Sequence, residues 1–458
     1  MCDDGKEGSG KCVCLDQSND PEIFCQGVID QDRHHNEQEE VTFGFILLMG
    51  VVFFMTFVVY FYHQHPKIQI IPESVLAIVI GILLGLFFKF YYKDNGQMLN
   101  ILQFEPHSFF LFLLPPIMYE AGFGLRIKPF LKNIFAVLAV TILATLFASF
   151  IFSLCFYFGS QYTDFGFSLI QSLQFGCFIS AIDPVATISI FKKLSVTDVL
   201  FTLVMGECVL NDAVAIALSE SVKGFAESGG GEVQIGWEIG KATWSFFSLF
   251  TVSLLIGFVF GLLFSYIFSK FDMYQVPWIE MGIFVLASYF PYIFAEGFEY
   301  SGLLAILMMS IIMRNYCYMS LSPVSSISIE YLIETLSQMS ENFVFCYLGI
   351  TIPIMLDDVK PSLIIVGIVA LLASRFLSVY MTFSIINIFK KKKMPFSYTV
   401  VMTWGGLRGA IAFYLALKIN SEYKNLIITT TMCLIVFTIV VLGSTMTPVI
   451  KLMLWLFP

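Results

Sequence analysis

Long apolar segments separated by short polar stretches run along almost the whole chain. Hydrophobicity and turn signals together mark thirteen segments, and a helix of about 20 such residues crosses roughly 30 Å of hydrocarbon. The predicted spans are 43–62, 71–90, 105–124, 129–158, 165–192, 198–224, 237–270, 276–296, 299–315, 323–356, 360–389, 396–418 and 424–457. A β-barrel would need short alternating strands, which these runs are not. The pattern predicts an all-α polytopic membrane protein with a transmembrane domain over 43–458.

Composition agrees with this fold class. The mean hydropathy is +0.82 and 13% of the residues are charged, whereas soluble domains carry about 25% charged residues. The lipid bilayer is therefore the expected surroundings, and no nucleic-acid partner is expected.

The N-terminal tail, residues 1–42, is polar and acidic. No cleavable signal peptide is visible, because the first apolar run begins near Phe43. The tail holds Cys2, Cys12, Cys14 and Cys25. These cysteines could form disulfides on an oxidising side or bind metal with His34 and His35, but their spacing matches no standard zinc pattern. A disordered acidic tail is the favoured interpretation.

Lysine and arginine positions predict the orientation. The loops after odd-numbered spans hold Lys67, Arg126, Lys128, Lys132, Lys192, Lys193, Lys270, Arg314 and Lys390 to Lys393. The loops after even-numbered spans hold only Lys93, Lys360 and Lys424. The odd loops are therefore predicted to be cytoplasmic, with the N-terminus extracellular or luminal and the C-terminus cytoplasmic.

Two spans contain helix breakers at mid-depth. Span five carries Asp183 followed by a proline, and span twelve carries Gly405, Gly406 and Gly409 around Arg408. Because these spans are seven apart, spans 1–6 and 8–13 are predicted to form two inverted six-helix repeats joined by span seven. Paired interruptions of this kind indicate the binding site of a secondary transporter.

Ionisable residues deep in the spans are few. They are Asp183, Glu207, Asp212, Glu341, Arg375 and Arg408. Each costs about 2.5–3.5 kcal/mol at mid-bilayer on insertion scales, so each needs a partner or a purpose. The carboxylates outnumber the guanidinium groups by two. A cation site at which protons compete fits this imbalance.

Helix geometry divides the segment GECVLNDAVA, residues 206–215, into roles. Cys208 and Asp212 are four residues apart and share a face, whereas Glu207 lies about 140° round the helix from Asp212. Glu207 is predicted to form a structural ion pair with Arg375. Asp212 is then left as the group that binds either a cation or a proton, the alternative being an aspartate hydrogen-bonded into the core.

Half-helix ends at the two interruptions carry partial charges. Asp183 would suit exposed amides and Arg408 would suit exposed carbonyls. Asn211 is neutral, so only Asp212 titrates at this place in the helix. One-for-one, electroneutral exchange follows as the simplest hypothesis.

Six sequence blocks resemble the eukaryotic sodium/proton exchangers of the cation/proton antiporter superfamily. The blocks are FFLFLLPPI (109–117), ISAIDPVATISIF (179–191), GECVLNDAVAIAL (206–218), FAEG (294–297), ASRF (373–376) and GGLRGAIAF (405–413). The resemblance covers about residues 43–457, and its details look closest to the endomembrane branch of the Golgi and endosomes.

This resemblance implies a role for each site residue. It makes Asp212 the ion carrier, Asn211 the mark of the electroneutral type and Asp183 the acid of the broken helix. It pairs Glu207 with Arg375. The charged positions typical of the family fall on Arg408 and Glu341, and the inhibitor region of relatives falls on Phe110, Leu111, Pro115 and Pro116.

The resemblance also implies an inverted-repeat homodimer that moves Na⁺ or K⁺ against H⁺ by alternating access. It implies no enzyme activity, no cofactor and no bound metal beyond the transported ions. The membrane would be an endomembrane or the plasma membrane. The choice between Na⁺ and K⁺ stays open.

Two departures from the family pattern affect these expectations. Cys208 stands where the family usually has serine, and a thiol is a poorer ligand than a hydroxyl for Na⁺ or K⁺. The chain ends at Pro458, so no cytoplasmic regulatory domain is expected. The alternative is a structural or sensor membrane subunit that keeps the exchanger fold without transport. A channel filter, a voltage-sensor arginine series and intramembrane protease motifs are not visible.

Overall fold

The computed structural model describes residues 49–65, 72–91, 106–125, 127–163, 165–183, 187, 191, 198–227, 235–271, 273–355, 359–389, 393–419 and 423–456. Regular structure within these ranges is helical throughout. The polar tail predicted over 1–42, with its cysteines and histidines, lies outside the described residues.

The first half of the chain contains α1 Met49–Gln64, α2 Glu73–Tyr91, α3 Pro106–Phe123, α4 Ile127–Lys132, α5 Ile134–Ser160, α6 Leu169–Ser180, α7 Asp198–Glu227 and α8 Ile235–Lys270. The second half contains α9 Pro277–Gly297, α10 Gly302–Ile312, α11 Pro323–Ile354, α12 Pro361–Phe389, α13 Phe396–Trp404, α14 Ala410–Leu417, α15 Lys424–Phe437 and α16 Ser444–Leu456. A π-helical turn follows α10 at Met313–Cys317, and another joins α15 to α16 at Thr438–Gly443.

These helices make a multi-pass membrane protein. Eight helical segments of the described chain are long and apolar enough to cross a membrane. The count of thirteen spans stays a prediction, because interrupted segments consist of shorter helices. Within the predicted span 129–158 the structure differs from the prediction: Asn133 separates α4 from α5, and its side-chain amide donates to the Pro129 carbonyl.

Serine and proline residues fix several helix starts. Ser168 and Gln171 form a reciprocal capping box at α6, which satisfies amide groups that the first turn leaves without partners. Ser322 caps α11, and Pro323 follows it at the first helical position, where a missing N–H costs nothing.

Close helix packing uses small residues. A Cβ atom at Gly81 on α2 would overlap the carbonyl oxygen of Cys346 on α11, and one at Gly349 would overlap the carbonyl of Ile78. Such contacts let helices pack without a hydrophobic drive from water. The apolar part of α7 is 83% buried, against 22% for α8. Helix α7 therefore lies in the interior, where α5, α6, α8 and α14 contact it.

Both predicted interruptions are present in the described residues. Helix α6 ends at Ser180, and Ala181 is extended. Helix α13 ends at Trp404 and α14 begins at Ala410. Both breaks therefore lie beside α7, since α6 and α14 each contact it.

Candidate ion-binding site

The two interrupted segments cross and are joined by a backbone hydrogen bond. The amide of Asp183 donates to the carbonyl of Leu407 at 2.8 Å. The amide of Arg408 donates to the Thr438 hydroxyl, which belongs to the π-helical turn after α15. Non-helical backbone at membrane depth is tolerated only where protein satisfies it. This crossing therefore satisfies backbone groups that neither broken helix can satisfy alone.

Arg408 lies at the end of α6. Its Nη1 donates to the carbonyls of Ser180 and Ala181 at 2.9 and 3.2 Å, and the side chain is 1% exposed. Those carbonyls close the C-terminal end of α6, where the helix dipole is negative. The guanidinium thus lies against exposed carbonyls, the surroundings that the sequence predicts for it.

Asp183 lies against Gly409, the residue before α14. A Cβ atom at Gly409 would lie 2.7–2.9 Å from the Asp183 side-chain atoms. Only a glycine leaves room for the carboxyl group at the N-terminal end of α14, where exposed amides favour negative charge.

Glu207 and Arg375 form a bidentate ion pair. The guanidinium donates to both carboxylate oxygens at 2.6 and 3.0 Å, and also to the Met402 carbonyl at 2.8 Å. Both side chains are buried. A Cβ atom at Gly406 would lie 2.6 Å from Arg375 Nε. The pair ties α7 and α12 to the end of α13, and sequence reasoning did not identify the Met402 carbonyl as its third member.

Asn211 is held on two sides. Its amide nitrogen donates to the Ser180 carbonyl at 2.8 Å, and its oxygen accepts from the Thr145 hydroxyl on α5. The sequence gives little sign of the contact between Thr145 and Asn211, because a threonine inside an apolar helix usually hydrogen-bonds its own backbone. Asn211 therefore fixes α7 to both α5 and the end of α6.

Asp212 is 4% exposed. Within the described part of the chain, no hydrogen bond or ion pair holds its carboxylate. Its electrostatic neighbours are Asp183 and Arg408. Cys208 is also buried and interacts with Asp183, Asp212, Glu207 and Arg375. The structure thus brings Asp212, Asp183, Cys208 and Arg408 together around the crossing.

Glu341 lies on α11 and is buried. It interacts electrostatically with Asp183, Glu120 and Glu73, and the adjacent Asn342 donates to Glu73 at 2.7 Å. The predicted role of Glu341 in charge compensation beside Arg408 remains a prediction, since its electrostatic neighbours are carboxylates.

The inhibitor region predicted by resemblance lies on α3. The backbone of Phe110 and Leu111 is helical, and their side chains are outside the described part. Pro115 and Pro116 are buried inside α3 and line an apolar cavity of about 40 Å³ with Tyr119 and residues of α9, α10 and α11. No cluster of three or more His, Cys, Asp or Glu residues suited to a metal ion occurs among the described residues.

Comparison with known proteins places this arrangement in a family. The model of the transmembrane sodium/hydrogen exchanger family matches residues 51–452. The chain belongs to this family. Sodium/hydrogen exchanger 8 of Homo sapiens is 33% identical over 434 residues, which cover 92% of this chain and 74% of that protein. Sodium/hydrogen exchanger 1 of Dictyostelium discoideum is 31% identical, over 92% of this chain and 61% of that protein.

A solved structure shows the same fold. The sodium proton antiporter MjNhaP1 from Methanocaldococcus jannaschii superposes with a TM-score of 0.69 and 17% sequence identity, over 91% of this chain and 99% of that one. The predicted family is confirmed. Its members are secondary transporters rather than enzymes and use no cofactor.

The Glu207–Arg375 pair gives a stability test. Glu207→Gln and Arg375→Gln should each lower the free energy of unfolding by about 3–5 kcal/mol, because each leaves one buried charge without its partner. The double variant should lose less than the sum of the single losses. Unfolding of the protein in bicelles by titration with SDS measures the free energy of unfolding of the two single variants and the double variant.

Glu334 provides the control, since it is an exposed carboxylate on α11. Glu334→Gln should have the same free energy of unfolding as the wild type. Strictly additive losses from Glu207 and Arg375 would mean that the observed pair contributes no coupling energy.

Proposed function

We propose that this protein exchanges a monovalent cation, Na⁺ or K⁺, for H⁺ across a membrane, and that Asp212 binds either ion in turn. The observation that carries the proposal is the buried Asp212 carboxylate, which lacks an ion-pair partner among the described residues beside two broken helices. Membership in the exchanger family and the antiporter fold support cation/proton exchange.

The charges around the crossing explain why a cation is needed. Glu207 and Arg375 neutralise each other. Asp183, Asp212 and Arg408 then leave one negative charge, and Glu341 adds another next to Asp183. Burial disfavours an uncompensated carboxylate strongly. A proton or a metal cation on Asp212 relieves the same charge, so the two ions compete for one group.

Asn211 supports electroneutral exchange. Its side chain is engaged by Thr145 and Ser180 and carries no charge, so Asp212 is the single titrating group at this turn of α7. One proton then replaces one cation, and no net charge crosses the membrane per cycle.

The helix contacts support an inverted repeat, and we propose that its two halves work by alternating access. If each span pairs with the one seven later, the contact of α2 with α11 becomes equivalent to that of α10 with α3. The contacts of α5 with α7 and of α12 with α15 become equivalent in the same way, and all four are present. The two halves would then face opposite sides of the membrane, with the crossing at their junction.

Other parts of the proposal rest on the sequence and its relatives. The lysine and arginine distribution supports an extracellular or luminal N-terminus and a cytoplasmic C-terminus. Similarity to exchanger 8, of the endomembrane branch, supports an endomembrane as well as the plasma membrane. A homodimer is proposed by analogy with the family.

The carrier assignment predicts the loss of exchange in Asp212→Asn. In proteoliposomes with an imposed pH gradient, addition of Na⁺, Li⁺ or K⁺ should dissipate the gradient with the wild type. The asparagine variant should match empty liposomes, because an amide neither binds a proton nor balances a cation. Glu334→Gln is the matched control and should keep the wild-type rate. Equal rates in Asp212→Asn and the wild type would rule out the carrier role.

Asn211 gives a test of the stoichiometry. A membrane potential of about 100 mV acts on each translocated charge with about 2.3 kcal/mol. Wild-type Na⁺/H⁺ exchange should not respond to it. Asn211→Asp adds a second carboxylate, so any exchange that survives should become voltage-dependent. A voltage-dependent wild-type rate contradicts one-for-one exchange.

Cys208 gives a test of cation affinity. If its side chain faces the ion, Cys208→Ser should lower the KM for Na⁺ several-fold, because a hydroxyl oxygen is a harder ligand than a thiol. Initial exchange rates against Na⁺ concentration give the KM. Cys433→Ser is the control and should leave the KM unchanged, because Cys433 is a partly buried cysteine on α15. An unchanged KM in Cys208→Ser would place the thiol outside the coordination shell.

A further inference from the structure

A second cluster of charged groups lies at the far ends of the helices that carry the site. Lys418 directly follows α14, and its ammonium lies 2.7 Å from the Glu220 carboxylate on α7. The two residues are 198 positions apart in the chain. Neither residue belongs to the crossing or to the Glu207–Arg375 pair.

Two further side chains complete this cluster. Tyr414, one turn before Lys418, accepts a hydrogen bond from the ammonium. Glu296, near the end of α9, interacts electrostatically with both Lys418 and Tyr414. The Glu296 carboxylate also accepts from the Gly302 amide at 3.0 Å, which fixes it at the start of α10. We call Lys418, Glu220, Glu296 and Tyr414 the Lys418 cluster.

Two helices, α7 and α14, connect the Lys418 cluster to the crossing. Glu220 follows Asp212 by eight residues on α7, which corresponds to about 12 Å along a helix. Helix α14 starts next to the Asp183–Gly409 contact and ends at Lys418. The side chains of Lys418 and Glu220 are 37% and 28% exposed. The Lys418 cluster is therefore partly exposed and lies towards one end of the two helices that position the site.

The Lys418 cluster has the ligands of a cation site, but a lysine ammonium of the protein occupies it. Two carboxylates and a phenol oxygen are hard oxygen ligands, which suit a hard metal cation. Here Glu220 pairs with the ammonium of Lys418, and Glu296 and Tyr414 interact with it electrostatically. The ammonium is a compact and strongly hydrated point charge on a flexible stem. Lys418 pairs with Glu220, and the second carboxylate, Glu296, leaves one net negative charge in the cluster.

We propose that Lys418 is a tethered counter-cation, which competes with the transported cation for Glu220 and Glu296 and so lowers the cation affinity of this face. The inference rests on the proposed exchange function. A purely structural ion pair is the competing explanation, but exposed pairs contribute little to stability. The cluster also joins α7 and α14, the two helices that position the site, to α9.

The test compares the cation KM in oriented proteoliposomes, at constant ionic strength, for each face separately. Lys418→Gln should lower the KM at one face about three- to tenfold, the effect of removing one nearby charge, with Vmax unchanged. Glu220→Gln should raise the KM at the same face by a similar factor, because the ammonium then repels the cation. Lys418→Arg keeps the charge and should retain the wild-type KM.

Lys424→Gln is the matched control, because Lys424 is an exposed lysine at the start of α15. It should shift the KM less than Lys418→Gln does. A change of KM in the same direction for Lys418→Gln and Glu220→Gln, or a loss of Vmax alone, overturns the inference while exchange itself stands. Absence of exchange in the wild type with every cation refutes the proposed function and this inference together.

Discussion

The hydrogen bond between Asp183 and Leu407 is the constraint on which the rest of the site depends. Two helices that stop in mid-membrane leave amides and carbonyls without partners, and each such group costs several kcal/mol in hydrocarbon. The chain meets this cost by crossing the two breaks, so that one supplies the acceptor for the other. Arg408 then satisfies the carbonyls of Ser180 and Ala181. Without the crossing, neither break would be tolerable.

The crossing also explains how buried charges are distributed. Arg375 donates to Glu207 and to the Met402 carbonyl, and Arg408 donates to the carbonyls at the end of α6. Among the described residues neither guanidinium forms an ion pair with Asp212, although Arg408 is an electrostatic neighbour of it. A buried carboxylate with this surplus of negative charge binds a cation or a proton more favourably than it stays alone. Glu207 therefore belongs to the scaffold because it pairs with an arginine, whereas Asp212 belongs to the site because no arginine pairs with it among the described residues.

Much of this could be predicted from the sequence, and the limits have physical causes. Hydropathy predicts the long helices, and the glycines around Arg408 predict the interruption between Trp404 and Ala410. The pairing of Glu207 with Arg375 follows from the scarcity of buried charges. The contact of Thr145 with Asn211 does not follow, because it depends on how α5 packs on α7. The pairing of Lys418 with Glu220 is equally inaccessible, since both residues look like ordinary helix-end charges.

The glycines of GGLRGA serve two purposes, and the second becomes visible only in three dimensions. Glycine at these positions ends α13 and loosens the backbone before α14, as the sequence indicates. Gly406 also leaves room for the Arg375 side chain and Gly409 for the Asp183 carboxyl, since a Cβ atom at either position would lie within 3 Å of those groups. One segment therefore holds the scaffold arginine on one side and the acid of the broken helix on the other. Any movement of this segment shifts both together, which couples the ion pair that fixes α7 to the charges beside Asp212.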